Sequence, residues 1–416
     1  MATTDQLIIC EHCDCVYEKV TLAKHQKALC TRCGGVLQRY NGLSVQQRLA
    51  LSFTAAVLWI FANFYPVMSI SLKGLKNSAT LWDSVVALSQ GPITFIALVA
   101  AISIIIAPVF QLLLLIWVLS FALTSRRSPG FKLCMRWLET LRPWSMLEVC
   151  LLGAMVAVFK LAGMLDVLPG IGLFSLAVLS LLLIRIAGRD VRELWDILMN
   201  RPPLASELNL CLCHSCGLAC DITDNPHECP RCGAPLHARK ANSLARTWAY
   251  LLASLVFYIP ANLLPVMNTS LFGSGSDSTI MSGVLEFWAH GAWDIALIIF
   301  IASIAVPGVK FVALSLLLIT VQRGSLWARK ERSQLYRFVE LIGYWSMLDV
   351  IVVALVAALV KFQALGDIQP RVGILFFGLV VVFTMLSAMS FDPRLIWDKG
   401  PEKPQNEEVM DEVASH

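Results

Sequence analysis

Eight cysteines of this chain occur as four Cys-x-x-Cys pairs, a spacing that suits metal binding. Sixteen residues separate the two pairs of the first cluster, and twelve separate those of the second. Four thiolates at such separations can surround one zinc ion tetrahedrally. Few apolar residues lie between the pairs, so each module needs the metal to fold. We therefore predict two zinc ions per chain, one for each set of ligands. The sets are Cys10, Cys13, Cys30 and Cys33, and Cys213, Cys216, Cys229 and Cys232.

Other functions of these clusters are less compatible with the sequence. A redox Cys-x-x-Cys motif belongs to a βαβ pattern, which is absent here. A closed site of four cysteines leaves no position for a catalytic water. Nucleic-acid binding is disfavoured because residues 201–246 hold five Lys and Arg against four Asp and Glu. We predict that Cys15, Cys211 and Cys220 are not ligands, with Cys211 left open as a substitute for a neighbouring cysteine.

A second group of residues places ionisable side chains inside long apolar stretches. Lys310 is the deepest, since it lies thirteen residues before Arg323, about 20 Å along a helix. A charge at the bilayer centre costs about 2.5–3.5 kcal/mol on insertion scales, so it usually has a role. Asp349 lies in the next apolar stretch. The sequence predicts either a Lys310–Asp349 transport site or a buried structural ion pair, and leaves both open.

Four further residues belong to this predicted transport site. Glu148 is the first-half counterpart of Asp349. Lys160 and Lys361 lie twelve residues beyond the two acids, where they either take part in transport or extend to the membrane interface. Thr384 in the last apolar stretch can add a hydroxyl, with helix–helix contact as the alternative.

An Asn-x-x-Pro-Val-Met sequence occurs once in each half of the chain. The first copy holds Asn63 and Pro66, and the second holds Asn262 and Pro265. Proline within a span frees a backbone carbonyl one turn back, and asparagine can satisfy that carbonyl or line a cavity. We predict broken helices at these positions, with a simple kink as the alternative.

The composition indicates that a membrane surrounds these residues. Hydrophobic residues make up 57% of the 416 residues and charged residues only 15%, whereas soluble domains hold about 25% charged residues. Charge-poor stretches of about 20 residues each predict eight transmembrane helices, with the long second stretch taken as one span. These stretches are 49–72, 84–125, 143–165, 167–184, 247–276, 293–322, 342–364 and 372–391.

The chain is an internal duplication in which matching motifs keep the same order. Each half holds a cysteine cluster, the Pro-Val-Met element, a Trp-Ser-Met-Leu-[Glu/Asp]-Val element and a Trp-Asp pair. The predicted fold is an all-α polytopic membrane protein: two tandem parallel repeats of four transmembrane helices, each preceded by a small cytoplasmic zinc ribbon. The predicted domains are the ribbons 1–48 and 201–246, the repeats 49–200 and 247–400, and a disordered tail 401–416.

The charges of the connecting loops predict the orientation. Residues 126–142 and 323–341 carry five Lys and Arg each, whereas residues 269–291 carry none. The positive-inside rule places the basic loops in the cytoplasm. With an even number of spans, both termini and both ribbons are then cytoplasmic.

The motifs of several enzyme classes are absent from the sequence. It contains no G-x-S-x-G, no HExxH and no Walker loop. We therefore expect a protein that is not an enzyme and that does not hydrolyse ATP on its own.

The duplicated Cys-x-x-Cys ribbon, the Pro-Val-Met element and the Trp-Ser-Met-Leu-[Glu/Asp]-Val element together resemble the paraquat-inducible protein A family, which includes LetA. The resemblance covers almost the whole chain. It implies an inner-membrane protein of Gram-negative bacteria with a periplasmic MCE-domain partner of the PqiB or LetB type. It also implies that phospholipid moves between the inner and outer membranes through the partner's tunnel, supporting envelope integrity. Lys160, Lys310 and Asp349 are then expected to matter for transport.

Three functions are compatible with these features. The first is a lipid transporter subunit, which a mostly apolar bundle with few charges favours. The second is a stand-alone, proton-coupled exporter of small amphiphiles, which a neighbouring reading frame encoding MCE repeats would argue against. The third is a membrane scaffold that acts through its zinc ribbons. Removal of the charges at Lys310 and Asp349 would leave a scaffold working.

Overall fold

The protein is described by a computed structural model in which short segments are left undescribed. The described residues are 7–24, 26–40, 42–72, 75–89, 94–124, 126–145, 147–162, 166–187, 191–199, 210–221, 228–271, 274–289, 291, 293–345, 351–352, 354–355, 358, 361–362 and 366–398.

Two small β-hairpin modules carry the cysteine clusters. The first ribbon, residues 7–40, has the antiparallel pairs β1 (Leu7–Ile9) with β2 (Val16–Glu18) and β3 (Lys27–Leu29) with β4 (Val36–Arg39). The second ribbon, residues 210–240, has β8 (Leu210–Leu212) paired with β9 (Ala219–Asp221). These strands are too short to enclose an apolar core. A two-stranded hairpin alone is only marginally stable, so each ribbon needs a further source of stability.

The described helices follow the same order in both halves. The first half contains α1 Val45–Phe64, α2 Leu81–Leu88, α3 Thr94–Ala101, α4 Ala107–Ala122, α5 Phe131–Leu141, α6 Leu147–Ala162, α7 Ile171–Ala187 and α8 Val191–Leu198. The second half contains α9 Ser243–Leu263, α10 Ile280–Ala289, α11 Trp293–Phe300, α12 Val306–Gln322, α13 Arg329–Trp345 and α14 Val372–Ser390, followed by a 3₁₀ turn Pro393–Ile396. A π-helical turn joins α3 to α4 and another joins α11 to α12, at Ile102–Ile106 and Ile301–Ala305.

Among the described residues, six helical stretches are long and apolar enough to cross a membrane. They are Val45–Phe64, Thr94–Ala122, Phe131–Val158, Ser243–Leu263, Ile301–Gln322 and Val372–Ser390, with Ile171–Ile186 as a shorter apolar helix. The long second stretch contains one spanning helix, as predicted, and α2 precedes it separately. About half of the predicted span 342–364 lies outside the described residues.

Two small antiparallel sheets correct the all-α prediction. The first sheet has the order β6-β5-β7 and the second has the order β11-β10-β13-β12. Their strands are β5 Met68–Leu72, β6 Leu75–Ala79, β7 Asp166–Pro169, β10 Met267–Leu271, β11 Ser274–Ser278, β12 Lys361–Phe362 and β13 Gly366–Pro370. The predicted spans 49–72, 167–184 and 247–276 therefore each included sheet residues, because a strand without charged residues cannot be told from the adjoining apolar helix by its charge.

The helices pack into a core that continues from one half to the other. Helix α1 packs on α7, and the equivalent helix α9 packs on α14. A Cβ atom on Gly378 of α14 would lie 2.3 Å from Cδ1 of Ile96 on α3, so the halves meet closely there. Large apolar side chains such as Phe53, Val57 and Ile60 on α1 are exposed instead, which suits a lipid environment.

Candidate metal centres and membrane site

Tight turns beside the short hairpins present the predicted metal ligands. In the first ribbon the N–H of Asp14 donates to the carbonyl of Cys10 at 3.0 Å, and the N–H of Gly34 donates to that of Cys30 at 2.8 Å. The residue after each Cys-x-x-Cys pair has a positive φ: Asp14, Gly34, Gly217 and Gly233. Glycine adopts this conformation without steric cost, which explains its place after three of the four pairs.

The eight predicted ligands form two clusters of buried sulfur atoms. In each cluster the four Sγ atoms all lie within 4.8 Å of one another. The closest pairs are Cys10–Cys33 (3.5 Å), Cys13–Cys30 (3.4 Å), Cys213–Cys232 (3.6 Å) and Cys216–Cys229 (3.6 Å). Sulfur atoms bonded at about 2.3 Å to a tetrahedral metal ion such as zinc are about 3.8 Å apart. Both clusters therefore fit a four-coordinate metal ion.

Hydrogen bonds within each cluster favour ionised sulfur atoms. The N–H of Gly35 donates to Cys33 Sγ and that of Ala234 donates to Cys232 Sγ, both at 3.4 Å. Hydrogen bonds from the first two thiols of each set lower the pKa of Cys33 and of Cys232 to about 7. Hydrogen bonds to neighbouring cysteines raise the pKa of Cys13 and of Cys216, so only part of each cluster is prepared to ionise. Metals bind the thiolate form, and a bound cation would ionise the remaining thiols.

The three additional cysteines of the ribbons are not members of either group of four, but Cys15 packs against the first group and Cys220 lies beside the second. Cys220 Sγ lies 3.9 Å from Cys229 Sγ. In the first ribbon the phenol of Tyr17 occupies the equivalent place, with its oxygen 3.2 Å from Cys30 Sγ. Tyr17 and Cys220 each follow the first cysteine pair by four residues. Alignment of the two ribbons was therefore the signal that sequence reasoning missed.

Lys310 lies on α12 and is only 1% exposed. The helix begins directly after a π-helical turn, and Pro307 is its second residue. The first half has Gln111, 6% exposed, at the equivalent place on α4. The structure thus places Lys310 as a deeply buried cation in the second half, and its transport role stays a prediction.

The other predicted transport residues are placed only in part. Thr384 on α14 is buried, and its hydroxyl donates to the Val381 carbonyl at 2.9 Å. The hydroxyl therefore forms its hydrogen bond within its own helix. Glu148 lies on α6 with an exposed side chain. Asp349 lies outside the described residues, so the proposed pairing with Lys310 stays a prediction.

The two predicted interfacial lysines lie on different kinds of element. The backbone of Lys160 belongs to α6. The backbone of Lys361 begins β12 and pairs with Asp367. The predicted span 342–364 is therefore wrong at its end, because the chain has entered the sheet at Lys361.

The Asn-x-x-Pro elements lie at helix ends, which corrects the prediction of proline-broken helices. Helix α1 ends at Phe64 and α9 ends at Leu263, before Pro66 and Pro265 respectively. Proline disfavours the helical conformation of the residue before it, so each helix stops there. The Asn63 side chain donates to the Trp59 carbonyl and the Asn262 side chain donates to the Tyr258 carbonyl, both at 2.8 Å.

Two ribbons whose groups of four cysteines could each hold a metal ion, joined to a duplicated set of membrane-capable helices, indicate a multi-pass membrane protein. The model of the family described as paraquat-inducible protein A matches residues 45–199 and again residues 244–400. The chain belongs to this family, and the two matches agree with the internal duplication.

Curated relatives match almost the full length of the chain. It is 33% identical to "Intermembrane transport protein PqiA" of Escherichia coli strain K12, over 96% of this chain and 97% of that protein. It is 31% identical to "Lipophilic envelope-spanning tunnel protein A" of the same strain, over 94% and 90% of the two chains. A "Probable intermembrane transport protein" of Haemophilus influenzae is 29% identical over 94% and 96%. No solved structure matches the chain.

Proposed function

We propose that this chain is the inner-membrane subunit of an MCE-type lipid transport system. In this role it passes phospholipid between the inner membrane and a periplasmic MCE-domain protein of the PqiB or LetB type, toward or from the outer membrane. The names of the relatives support this proposal, since they describe intermembrane transport and an envelope-spanning tunnel. The chain acts as a transporter subunit and not as an enzyme.

The observation that carries the proposal is the burial of Lys310 in an apolar helix. A lysine that is 1% exposed on a membrane-capable helix is costly to retain. Its ammonium group can attract a lipid phosphate or exchange a proton with an acid, and Asp349 is the acid predicted on the next span. The two halves then differ in function, because only the second half places a lysine at this position, where it can bind the lipid phosphate or exchange a proton.

The ribbons are proposed to bind zinc on the cytoplasmic side. Closed sets of four cysteine sulfurs are typical of structural zinc, and such sites contribute folding energy. The orientation follows from α5 and α13, because these helices hold most of the basic residues of the connecting segments. Arginine and lysine concentrate on the cytoplasmic side of membrane proteins.

Lipid transfer by the purified complex tests the proposal. The full-length protein would be co-expressed with the MCE-domain protein of the same organism and placed in liposomes that contain labelled phosphatidylethanolamine. We expect co-purification of the two proteins and transfer of label to the partner. Lys310→Met should reduce transfer about tenfold or more, whereas Gln111→Met, at the equivalent place, should reduce it less. Transfer that proceeds normally with Lys310→Met would favour a scaffold, and export of amphiphiles without the partner would favour a stand-alone exporter.

A further inference from the structure

Each ribbon contacts a helix of the opposite half of the chain. From α13, in the second half, Arg337 Nη2 donates to the carbonyl oxygen of Cys33 at 2.8 Å. From α5, in the first half, Arg136 Nη2 donates to the carbonyl oxygen of Cys232. Arg136 and Arg337 are equivalent positions of the repeats, and each bonds the last predicted ligand of a ribbon. The same contact is therefore made twice, and both times it crosses between the halves.

A second pair of contacts repeats this exchange. Arg32 and Arg231 each stand directly before the last predicted ligand of their ribbon. The Arg32 guanidinium lies over the ring of Trp397, 4.5 Å from the centroid, and the Arg231 guanidinium lies 5.8 Å from the centroid of Trp195. The tryptophans are equivalent residues at the ends of the second and first halves. Guanidinium groups are attracted to tryptophan faces, more strongly when water is excluded.

Ion pairs to buried arginines accompany both contacts. Arg231 is 2% exposed, and its Nη2 lies 2.9 Å from Asp196 Oδ1 in α8. Arg394, also 2% exposed, has Nη1 3.5 Å from Asp14 Oδ1 of the first ribbon.

Some contacts do not follow the exchange. Lys19 of the first ribbon lies 3.2 Å from Asp196, Arg239 of the second ribbon pairs with Asp398 of its own half, and His214 of the second ribbon lies 3.3 Å from Arg394. The side chains of both ion pairs are partly exposed, and such pairs contribute little.

The docking groups belong to turns whose shape depends on the bound metal. The carbonyl of Cys33 and the side chain of Arg32 lie on the second turn of the first ribbon, and those of Cys232 and Arg231 lie on the matching turn of the second. A ribbon without a core loses this shape when its thiolates lose their metal. Loss of metal from the first ribbon then removes the acceptor for Arg337 in the second half.

We propose that the ribbons are exchanged between the halves, so that metal bound in each ribbon holds the basic helix and the terminal helical turn of the opposite half. Metal in the first ribbon then supports the half that carries Lys310. The ribbons also pack on each other through Ile9, Leu212 and Ala219. Together these contacts join the two halves crosswise. The proposal rests on the metal binding of the proposed function and is independent of lipid transport.

Hydrogen exchange of the full-length, zinc-loaded protein in lipid nanodiscs tests this exchange of ribbons. Arg337→Gln is expected to speed amide exchange about tenfold in α13 and to leave α5 unchanged. Arg136→Gln is the matched variant, and the reverse result is expected for it. If the yield of the glutamine variants falls, Arg337→Lys and Arg136→Lys, which keep the charge, replace them. Elemental analysis of the same samples shows whether zinc has been retained.

Removal of one metal at a time is the second arm of the experiment. Cys30→Ser should speed exchange in α13 and in Pro393–Ile396, whereas Cys229→Ser should speed it in α5 and α8. Faster exchange in the same half as the altered ribbon, equal changes in both halves, or no change in either would overturn the proposal. A lipid-transfer assay tests the proposed function separately. If transport fails, the hydrogen-exchange measurement still decides whether the ribbons are exchanged between the halves.

Discussion

The metal binding proposed for each ribbon depends on sulfur atoms that the backbone already holds close together. The turns at Gly34 and Gly233 direct the last cysteine of each set inward, and N–H groups that donate to Cys33 and Cys232 stabilise negative charge there. Most of the arrangement is local, since each ligand pair spans four residues. Replacement of one ligand should therefore empty one site and leave the other.

Cys30→Ser and Cys229→Ser are each expected to reduce the zinc content from about two ions per chain to about one, because an open set of three thiolates binds zinc poorly. Elemental analysis of purified protein measures this. Cys15→Ser is the matched control, since Cys15 lies beside the first cluster without belonging to it, and it should retain about two. Wild-type protein that folds with no zinc would contradict the assignment.

Lys310 poses the sharpest question about single residues. If Lys310 and Asp349 handle a proton or a headgroup, Lys310→Met and Asp349→Asn should each abolish function at nearly normal protein levels. Growth under outer-membrane stress, measured beside a quantitative blot, separates activity from abundance. The double neutral variant provides the control. A purely structural pair would lose protein when one partner is removed, and the double variant would regain both protein and function.

The helices and sheets meet at one recurring junction, where α1 ends beside the start of α7 and α9 ends beside the start of α14. The N–H of Gly172 donates to the Pro66 carbonyl at 3.0 Å, and the N–H of Gly373 donates to the Pro265 carbonyl at 2.9 Å. A Cβ atom on Gly373 would lie 2.5 Å from the Pro265 oxygen. The Pro-Val-Met element therefore positions two helices and a sheet at once.

Gly373→Ala should destabilise the protein by about 1–3 kcal/mol, because a methyl group at 2.5 Å from a carbonyl oxygen forces the backbone apart. Thermal unfolding in detergent measures the effect as a lower Tm. Gly343→Ala is the matched control: it lies in α13, and a Cβ there meets no atom within 4 Å. The control should be neutral or slightly stabilising, since alanine favours helix. An unchanged Tm for Gly373→Ala would show that the junction can adjust.

The whole molecule presents different chemistry at its two ends. The ribbons and the basic helices α5 and α13 gather at one end. The hairpins β5–β6 and β10–β11 lie at the opposite ends of the helices α1 and α9. If the basic end is cytoplasmic, the sheets face the periplasm, where an MCE-domain partner would meet them.

A membrane-impermeant thiol reagent applied to intact cells should label Ser276→Cys in β11 and not Leu326→Cys after α12. Both positions are exposed in the structure, so accessibility differs only by the side of the membrane. Labelling of lysed cells provides the control, because both positions should then react. Labelling of Leu326→Cys from outside would reverse the proposed orientation.

The two groups of four cysteines, the apolar helices and the duplication could be predicted from the sequence because each has a local signature. Cysteine pairs two residues apart form knuckles wherever they occur, and the stretches around Lys310 are apolar over the length of a bilayer. The position of Lys310 on such a helix follows from counting residues alone. The Asn-Pro element was recognised for the same reason, although its part in ending the helices was not.

The sheets and the exchange of ribbons depend on contacts between residues that are far apart along the chain. Strand β5 pairs with β7, almost a hundred residues later, and no pattern within either strand identifies the other. The Cys33 carbonyl meets Arg337 only because the helices fold back across the two halves. Many alternative pairings satisfy the same local preferences, so the packing of the helices selects among them.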